Sequence, residues 1–234
     1  MYQTNTMSDL RKMTYIETES MVQHWRARQT LTEMMHDRHY DVVKENWNVE
    51  GDIDERALFM KLWYEKNNFF DLTMRAVSQA GTPKSPTILI FFPDEEKLKI
   101  NMLREMITYT EKVKCVHIII VYIQSITSFA KNQLGTIVSE KNIRIEQFSI
   151  EELQFNPTKH DLVPKHTILS KQEKEDVMRR ERCISDNFPI IKTCDPIARY
   201  IGAKPNQLIA IEKIIPGGKR STHYRICKLG IFKK

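Results

Sequence analysis

A chain of 234 residues with 41% apolar and 28% charged residues has the size and composition of a globular protein of one or two domains. It has no run of 18 apolar residues that would predict a membrane span, and residues 1–20 lack the apolar core of a secretory signal. The net charge of +6 is uneven, because residues 1–150 hold 19 Lys and Arg against 20 Asp and Glu, whereas residues 151–234 hold 17 against 10. A basic C-terminal part favours nucleic acid or an acidic protein surface as partner.

The cysteines and histidines do not form a recognisable metal-binding pattern. The four cysteines include no C-x-x-C pair, so we expect reduced thiols in an intracellular protein. His36 and His39 would lie close together on a helix, but neither a cysteine nor a third histidine is near them in sequence. We therefore predict no metal site and no cofactor.

Helical patterns dominate the first 80 residues. We expect residues 1–19 to form a disordered leader. Ser20 and Gln23 fit a capping box, and the apolar spacing after them predicts a helix that ends near Arg38. An apolar stripe at residues 57–63 predicts a core helix, and the Gly- and Pro-rich residues 81–86 predict a loop.

Residues 87–150 predict a βαβ unit and a further strand. Residues 87–92 and 117–123 are short apolar runs rich in β-branched and aromatic residues, which favours strands. Between them, a crossover helix is indicated by the apolar spacing of Leu98, Met102, Met106 and Val113. Strands joined in this way are parallel and buried on both faces. The alternating residues at 142–148 predict a last strand.

The C-terminal residues contain two clear helix starts. Ser170 and Glu173 form a capping box ahead of a charged helix. Asp195 is a good N-cap, Pro196 suits the first turn, and Gly202 can end the second helix in the left-handed conformation. Together with strands at 189–192, 207–215 and 222–227 and a turn at 216–218, these signals predict a small α+β unit.

The same residues carry a resemblance. LVPKH at 162–166, LS-x-x-EK at 169–174 and DP-x-ARY-x-G at 195–202 are specific as an ordered set. The region from about 156 to 227 resembles the C-terminal assembly domain of the fifth common subunit of eukaryotic nuclear RNA polymerases, a domain that makes up the whole of a small archaeal polymerase subunit. The segment HWRARQTLTEMMHDRHY is similar to the opening helix of that eukaryotic subunit's N-terminal jaw domain.

The resemblance implies two domains. The first is an α/β jaw with a mixed sheet, flanking helices and a restriction-endonuclease-like topology, and the second is a small α+β assembly domain. The expected boundaries are a leader at 1–19, the jaw at 20–150, a linker at 151–156, and the assembly domain at 157–234 with a short extra tail.

The implied function is that of a non-catalytic subunit in the nucleus. Such a subunit assembles on the largest polymerase subunit and its neighbours, and it forms part of the lower jaw near downstream duplex DNA. Contact with DNA is expected to be weak and confined to the assembled complex. Nucleotide addition and its Mg²⁺ ions would belong to the two largest subunits, and no membrane association is expected.

The family resemblance implies a DNA-proximal segment after residue 123. Many members have Thr-Pro-Ser-Ala-Lys here, and this chain keeps Thr127 and Lys131 but has Ser128 for the proline and Phe129 for the serine. A helix that starts at Thr127 or Ser128 can offer its first amides to a phosphate. The alternative interpretation is a helix that packs inward on Phe129.

The assembly domain supplies the candidates for a subunit interface. The motif positions and basic residues that we assign to it are His160, Val163, Pro164, Lys165, His166, Arg199, Tyr200, Lys204, Arg220 and Arg225. The chain departs from the family pattern at Pro205-Asn206 and at Lys219-Arg220-Ser221, and it has an extra tail after Cys227. The hairpin tip and its partner are therefore expected to differ from the usual pattern.

Two other classes of function remain open from the sequence. One is a free-standing DNA-binding transcription regulator. The other is a metal-dependent nuclease, since Asp94, Glu95 and Lys97 follow a predicted strand. These three residues fall in a single turn, however, whereas nuclease chemistry needs groups from neighbouring strands facing one ion.

Overall fold

The chain folds into two compact units, Met1–Phe155 and Asn156–Lys234. The structure is a computed structural model that describes residues 18–43, 54–66, 68–79, 86–214 and 218–230. Most of the predicted leader, the loop at 81–85, residues 216 and 217 of the predicted turn and the last four residues of the tail lie outside these ranges. No helix in the described ranges is long and apolar enough to cross a membrane.

The first unit opens with a long helix, α1 (Glu19–Asp37), whose N-cap is Thr18. The Thr18 hydroxyl accepts the Met21 amide at 3.3 Å, so the predicted cap at Ser20 is wrong by two positions. The helix buries its apolar stripe, and Trp25 lies off that stripe against Phe59 of α2 (Glu55–Glu65), with ring centroids 5.4 Å apart.

A five-stranded mixed sheet forms the centre of this unit. Its elements, with the two short strands and two helices between them, are β1 (Tyr40–Val43), β2 (Met74–Ser78), β3 (Thr87–Phe91), β4 (Lys97–Leu98), α3 (Ile100–Lys112), β5 (His117–Tyr122), β6 (Ser125–Ile126), α4 (Ser128–Lys141) and β7 (Arg144–Ser149). The sheet order is β1-β2-β3-β5-β7. Strands β1, β2 and β3 pair antiparallel, whereas β3, β5 and β7 pair parallel, which gives the predicted βαβ unit.

The helix of this βαβ unit starts later than its sequence predicts. Leu98 belongs to β4, which pairs in parallel with β6, and α3 begins only at Ile100. Its buried stripe therefore consists of Leu103, Met106, Ile107 and Thr110, while Val113 is 40% exposed. The short β4–β6 pair displaces the start of the helix, and a two-residue strand has no detectable sequence period.

The segment predicted as a linker packs on the first unit for most of its length. Residues Glu151–Leu153 form a 3₁₀ turn, and Leu153 is only 2% exposed. The Gln154 side-chain amide donates to the Gln23 carbonyl oxygen at 3.1 Å. The boundary between the compact units accordingly falls after Phe155.

The second unit is a four-stranded sheet with one helix on each face. Its elements are β8 (Lys165–Ile168), α5 (Lys171–Arg180), β9 (Ile190–Lys192), α6 (Pro196–Tyr200), β10 (Leu208–Ile214) and β11 (Arg220–Lys228), in the sheet order β8-β10-β11-β9. Val177 of α5 packs with Leu208 and Ile226 on one face. On the other face, Ala198 of α6 packs with Ile209. Strand β8, which the sequence did not predict, completes the sheet along β10.

Candidate docking and DNA-facing surfaces

Helix α5 is fixed by a reciprocal cap at its N-terminus. The Ser170 hydroxyl accepts the Glu173 amide at 3.2 Å, and the Glu173 carboxylate accepts the Ser170 amide at 2.7 Å. The hydrogen bonds from Ser170 lower the pKa of the Glu173 carboxyl. The structure thus contains both bonds of the predicted capping box, which position the charged face of α5.

Helix α6 carries the second family motif and is held at both ends. One Asp195 oxygen accepts the amides of Ile197 at 2.9 Å and Ala198 at 3.2 Å, with Pro196 in the first turn. At the other end, Gly202 has φ of +70°, a conformation that favours glycine. Both features agree with the sequence signals, and their effect is to orient the side chains of this short helix.

The interface candidates differ in how far they reach the surface. The exposed members are His160, Lys165, Lys204, Arg220 and Arg225, and the half-buried members are Val163, Pro164, His166 and Arg199. Tyr200 alone is buried, with 3% of its surface exposed. Most of the candidates can therefore meet a partner directly, and Tyr200 cannot.

Tyr200 is an internal anchor of the second unit. Its hydroxyl accepts a hydrogen bond from the Asn156 side-chain amide at 2.8 Å. The Asn156 side-chain carbonyl oxygen in turn accepts the Thr158 amide at 2.9 Å, so this network ties the turn at the start of the unit to α6. Tyrosine is enriched at protein interfaces, which led to the prediction for Tyr200. A tyrosine is equally suited to a protein core when its hydroxyl has a hydrogen-bond partner there.

Two histidines shape the segment that leads into β8. The His166 ring nitrogen Nδ1 lies 2.7 Å from the Pro164 carbonyl oxygen, and since a carbonyl only accepts, Nδ1 carries the hydrogen. The Leu162 amide donates to His160 Nδ1 at 3.2 Å. Residues 162–164 of the LVPKH motif therefore lead into β8, whose first residue, Lys165, is exposed to solvent.

The DNA-facing candidates lie at the start of α4. The Thr127 hydroxyl accepts the Ala130 amide at 3.3 Å and so caps the helix. Thr127 is half-buried, Ser128 and Lys131 are exposed, and Phe129 is 60% exposed. The inward packing that was expected as the alternative for Phe129 is absent, because Ala130 is the buried residue of this turn.

An acidic turn lies beside this helix start. The β4–β6 pair joins the two segments, and the Thr127 amide donates to the Leu98 carbonyl oxygen at 3.2 Å. Asp94 lies 3.4 Å from the Lys66 ammonium, and Glu95 lies 3.8 Å from that of Lys99. The acids proposed as nuclease ligands are thus engaged by lysines, and the described residues contain no group of three or more potential metal ligands.

A buried ion cluster in the first unit was missed at the level of sequence. Glu146 of β7 accepts hydrogen bonds from Arg38 at 2.9 Å and from His117 Nε2 at 2.7 Å, and Arg144 lies 2.9 Å from the same carboxylate. Burial alone would raise the pKa of this carboxyl, but the charges of Arg38 and Arg144 and the bond from His117 hold it well below its usual range. Arg38 and Glu146 are 108 positions apart, so no local pattern could reveal the pair.

Comparison with known proteins identifies the chain's family. A family model described as "RNA polymerase Rpb5, N-terminal domain" matches residues 18–110, and one described as "RNA polymerase Rpb5, C-terminal domain" matches residues 155–227. The rpabc1 subunit of DNA-directed RNA polymerases I, II and III from Dictyostelium discoideum is 32% identical over 200 residues, which cover 86% of this chain and 94% of the relative. The chain belongs to the Rpb5 family of RNA polymerase subunits.

Further Rpb5 relatives extend this result. The RPABC1 subunits of DNA-directed RNA polymerases I, II and III from Caenorhabditis briggsae and Caenorhabditis elegans are 28% identical over 202 and 208 residues, with the same coverage of both chains. The resemblance that the sequence motifs carry is confirmed. Rpb5 is a family of non-catalytic subunits, and this chain is a subunit of a DNA-directed RNA polymerase without catalytic residues of its own.

The two Rpb5 matches cover the candidate surfaces unequally. All interface candidates lie within residues 155–227, the range of the C-terminal match. Thr127, Ser128 and Lys131 lie between the two matched ranges. The matches to the two domain models therefore do not extend to the DNA-facing candidates.

Proposed function

We propose that this chain is the Rpb5-type subunit of the nuclear RNA polymerases I, II and III. The observation that carries the proposal is the alignment with the Dictyostelium subunit of those three enzymes, which spans 94% of that subunit at 32% identity. The two matched Rpb5 domains follow one another in the expected order. The three relatives come from eukaryotes, which supports the nucleus as the site of action.

We infer that the second unit, predicted as residues 157–234, docks against the largest polymerase subunit. Support comes from the basic excess of residues 151–234 and from the exposed positions of Lys165, Arg220 and Arg225. Such residues favour an acidic partner surface. The capped helices α5 and α6 pack on the two faces of the sheet that carries these residues.

We infer that the first unit, residues 20–150, forms part of the lower jaw beside downstream DNA. The parallel strands β3, β5 and β7 and their crossover helices support the nuclease-like topology that the resemblance implies. The start of α4, with the Ser128 amide and exposed Lys131, is the candidate contact to a phosphate. The unit is close to neutral, so the polymerase must hold it near the duplex, where a weak contact can act.

Affinity purification tests the proposal. A tagged copy of the full chain, expressed in its source cells, is expected to bring down the two largest subunits of polymerases I, II and III. Mass spectrometry of the eluate identifies them. Recovery of the chain without any polymerase subunit would favour the free-standing regulator instead.

Catalysis is tested separately. The purified chain is expected to leave duplex DNA intact in the presence of Mg²⁺ or Mn²⁺, because Asp94 and Glu95 lie in a single turn and not on neighbouring strands that face one ion. Cleavage that disappears in the Asp94→Ala variant would overturn the assignment as a non-catalytic subunit.

A further inference from the structure

The β10–β11 hairpin of the second unit extends beyond its neighbouring strands. Strand β9 pairs with β11 only at Ile226, Cys227 and Lys228. Before Ile226, β11 continues for six residues that pair with β10 alone. Within the described ranges no strand lies on the other side of these residues. We call residues 220–224 the open edge.

The register shows which backbone groups point out of this edge. In an antiparallel pair, hydrogen-bonded and non-bonded positions alternate. The Cys227 amide donates to the Gln207 carbonyl at 2.8 Å towards β10, and the Ile226 amide donates to Pro189 at 2.9 Å on the β9 side. The odd residues of β11 therefore bond to β10, whereas Thr222 and Tyr224 direct their amide and carbonyl groups outwards.

The chain segment that precedes β9 does not cover the open edge. Before the Pro189 contact the chain is in the 3₁₀ turn Ser185–Asn187, and the Phe188 ring meets the Tyr224 ring from one face of the sheet at 6.3 Å. Thr222 is exposed and Tyr224 is half-buried. In the described part of the chain, neither outward amide has a hydrogen-bond partner.

Four exposed cations lie on the open edge or next to it. Lys213, Lys219, Arg220 and Arg225 are exposed, and among the described residues none of them forms an ion pair. Arg220 and Arg225 lie on opposite faces of β11, because their positions differ by an odd number. The nearest carboxylate in the register is Glu212, which stands opposite Lys165 and Thr222.

We propose that the open edge accepts an extended acidic segment of another polymerase subunit as an added strand. This inference rests on the proposed function and specifies how the second unit docks. The outward amides and carbonyls at positions 222 and 224 supply the ladder, and the cations on both faces select carboxylates on the incoming strand. Repulsion between like charges prevents the same edge from pairing with a second copy of this chain.

A proline substitution in the open edge can block the proposed strand addition without disturbing the β10–β11 hairpin. Thr222→Pro removes an outward N–H and leaves every β10–β11 bond in place, and proline is tolerated on an edge strand in that orientation. We expect it to lower the amount of polymerase that co-purifies with the tagged full chain by about tenfold or more, in line with lost ladder bonds. Thr222→Ala keeps the N–H and is expected to behave like the wild type. Wild-type recovery by Thr222→Pro would overturn the proposal.

Hydrogen exchange gives a second measurement that needs no variant. In the free chain, the amides of Ser221, His223 and Arg225 are expected to be protected and those of Thr222 and Tyr224 to exchange fast. In the assembled polymerase, protection of the Thr222 and Tyr224 amides is expected to rise by about tenfold or more, as for a newly formed ladder. Unchanged exchange at these two amides contradicts strand addition, whatever the proline variant does.

The remaining outcomes are also decisive. If the wild-type chain recovers no polymerase, the proposed function fails, and this inference fails with it. Arg220→Glu combined with Arg225→Glu is expected to reduce recovery of polymerase. The proposal of strand addition is wrong if this double variant instead loses cross-links to nucleic acid and Thr222→Pro has no effect. In that case Arg220 and Arg225 bind a nucleic acid.

Discussion

At the scale of single residues, the buried carboxylate of Glu146 is the most consequential group that the sequence conceals. It lies between Arg38, His117 and Arg144, and its side chain is 14% exposed. The cluster joins the end of α1 to β7 and so to the sheet. Removing one member of a buried ion cluster leaves uncompensated charge, which is costlier than the loss of an exposed pair.

We predict that Glu146→Gln lowers the free energy of unfolding by about 3–5 kcal/mol at neutral pH. The pKa of Glu146 lies below its ordinary value of 4.5 in the folded state, so its stabilisation is present above that pH and is lost as the pH falls further. The difference between wild type and variant should thus narrow below about pH 4.5. Urea unfolding of the full chain at several pH values measures it. Glu105→Gln, at an exposed position, is the matched control.

Tyr200 gives a second test at this scale. Tyr200→Ala is expected to destabilise the second unit by about 3–5 kcal/mol, as for truncation of a large buried aromatic residue. Tyr200→Phe keeps the ring but removes the hydroxyl that accepts the hydrogen bond from Asn156, and it is expected to lower stability by about 0.5–1.5 kcal/mol. Native-state hydrogen exchange of the β10 amides reports both. Equal effects of the two variants would show that the ring is not part of the core.

At the scale of secondary-structure elements, short capped helices hold the second unit together. Helix α6 has only five residues, so its stability depends on Asp195 at one end and Gly202 at the other. A helix of this length does not persist without such contacts. The order of residues in the DP-x-ARY-x-G motif follows from this arrangement. Asp195 is the N-cap, residues 196–200 form the helix, and Gly202 ends it in the left-handed conformation.

We predict that Asp195→Ala lowers the stability of the second unit by about 1 kcal/mol, because two amides lose their acceptor. Asp195→Asn keeps a capping oxygen and should stay within a few tenths of a kcal/mol of the wild type. The same exchange measurement on β10 reports the difference. A loss in Asp195→Asn as large as in Asp195→Ala would point to the charge and not the cap.

Local signals explain which elements could be read from the sequence. The capping box at Ser170, the cap at Asp195 and the buried runs that became β3 and β5 are encoded within a few residues. Strand β8 was missed because its sequence, KHTI, alternates exposed and half-buried residues and gains its identity only by pairing with β10. The late start of α3 depends on the β4–β6 pair, which joins segments 28 positions apart.

The candidate surfaces were readable only in part, for the same reason. Lys165 and Arg225 follow family motifs and are exposed, which agrees with a surface role. Tyr200 also follows a family motif and is buried, since its hydroxyl meets Asn156 from a distant turn. The open edge of β11 depends on which of its residues pair with β9 and β10, and no local sequence pattern predicts that pairing.

At the scale of the whole molecule, the two units differ in net charge. Residues 1–150 are close to neutral, and the basic excess lies in residues 151–234. If the basic second unit binds the polymerase, the near-neutral first unit has little electrostatic attraction for DNA. It would contact the duplex because the polymerase holds it nearby at high local concentration. We propose that the exposed start of α4 makes this contact with DNA.

We predict that a photo-cross-linking residue in place of Phe129 captures downstream DNA in the assembled, transcribing polymerase. Phe129 is 60% exposed, so p-benzoylphenylalanine fits there without disturbing the core. Val138 lies nine residues further along α4, about 14 Å away at 1.5 Å per residue, and serves as the control position. Equal capture from both positions, or none from either, would remove the helix start as a specific contact.

The most direct test of membership in the polymerase is sedimentation of a native cell extract, with the chain and the largest subunits quantified in every fraction. We expect nearly all of the chain to sediment with the polymerases, at about one copy per largest subunit summed over polymerases I, II and III. A chain that sediments mainly at the position of a single free protein, away from every polymerase peak, would contradict its role as a shared subunit.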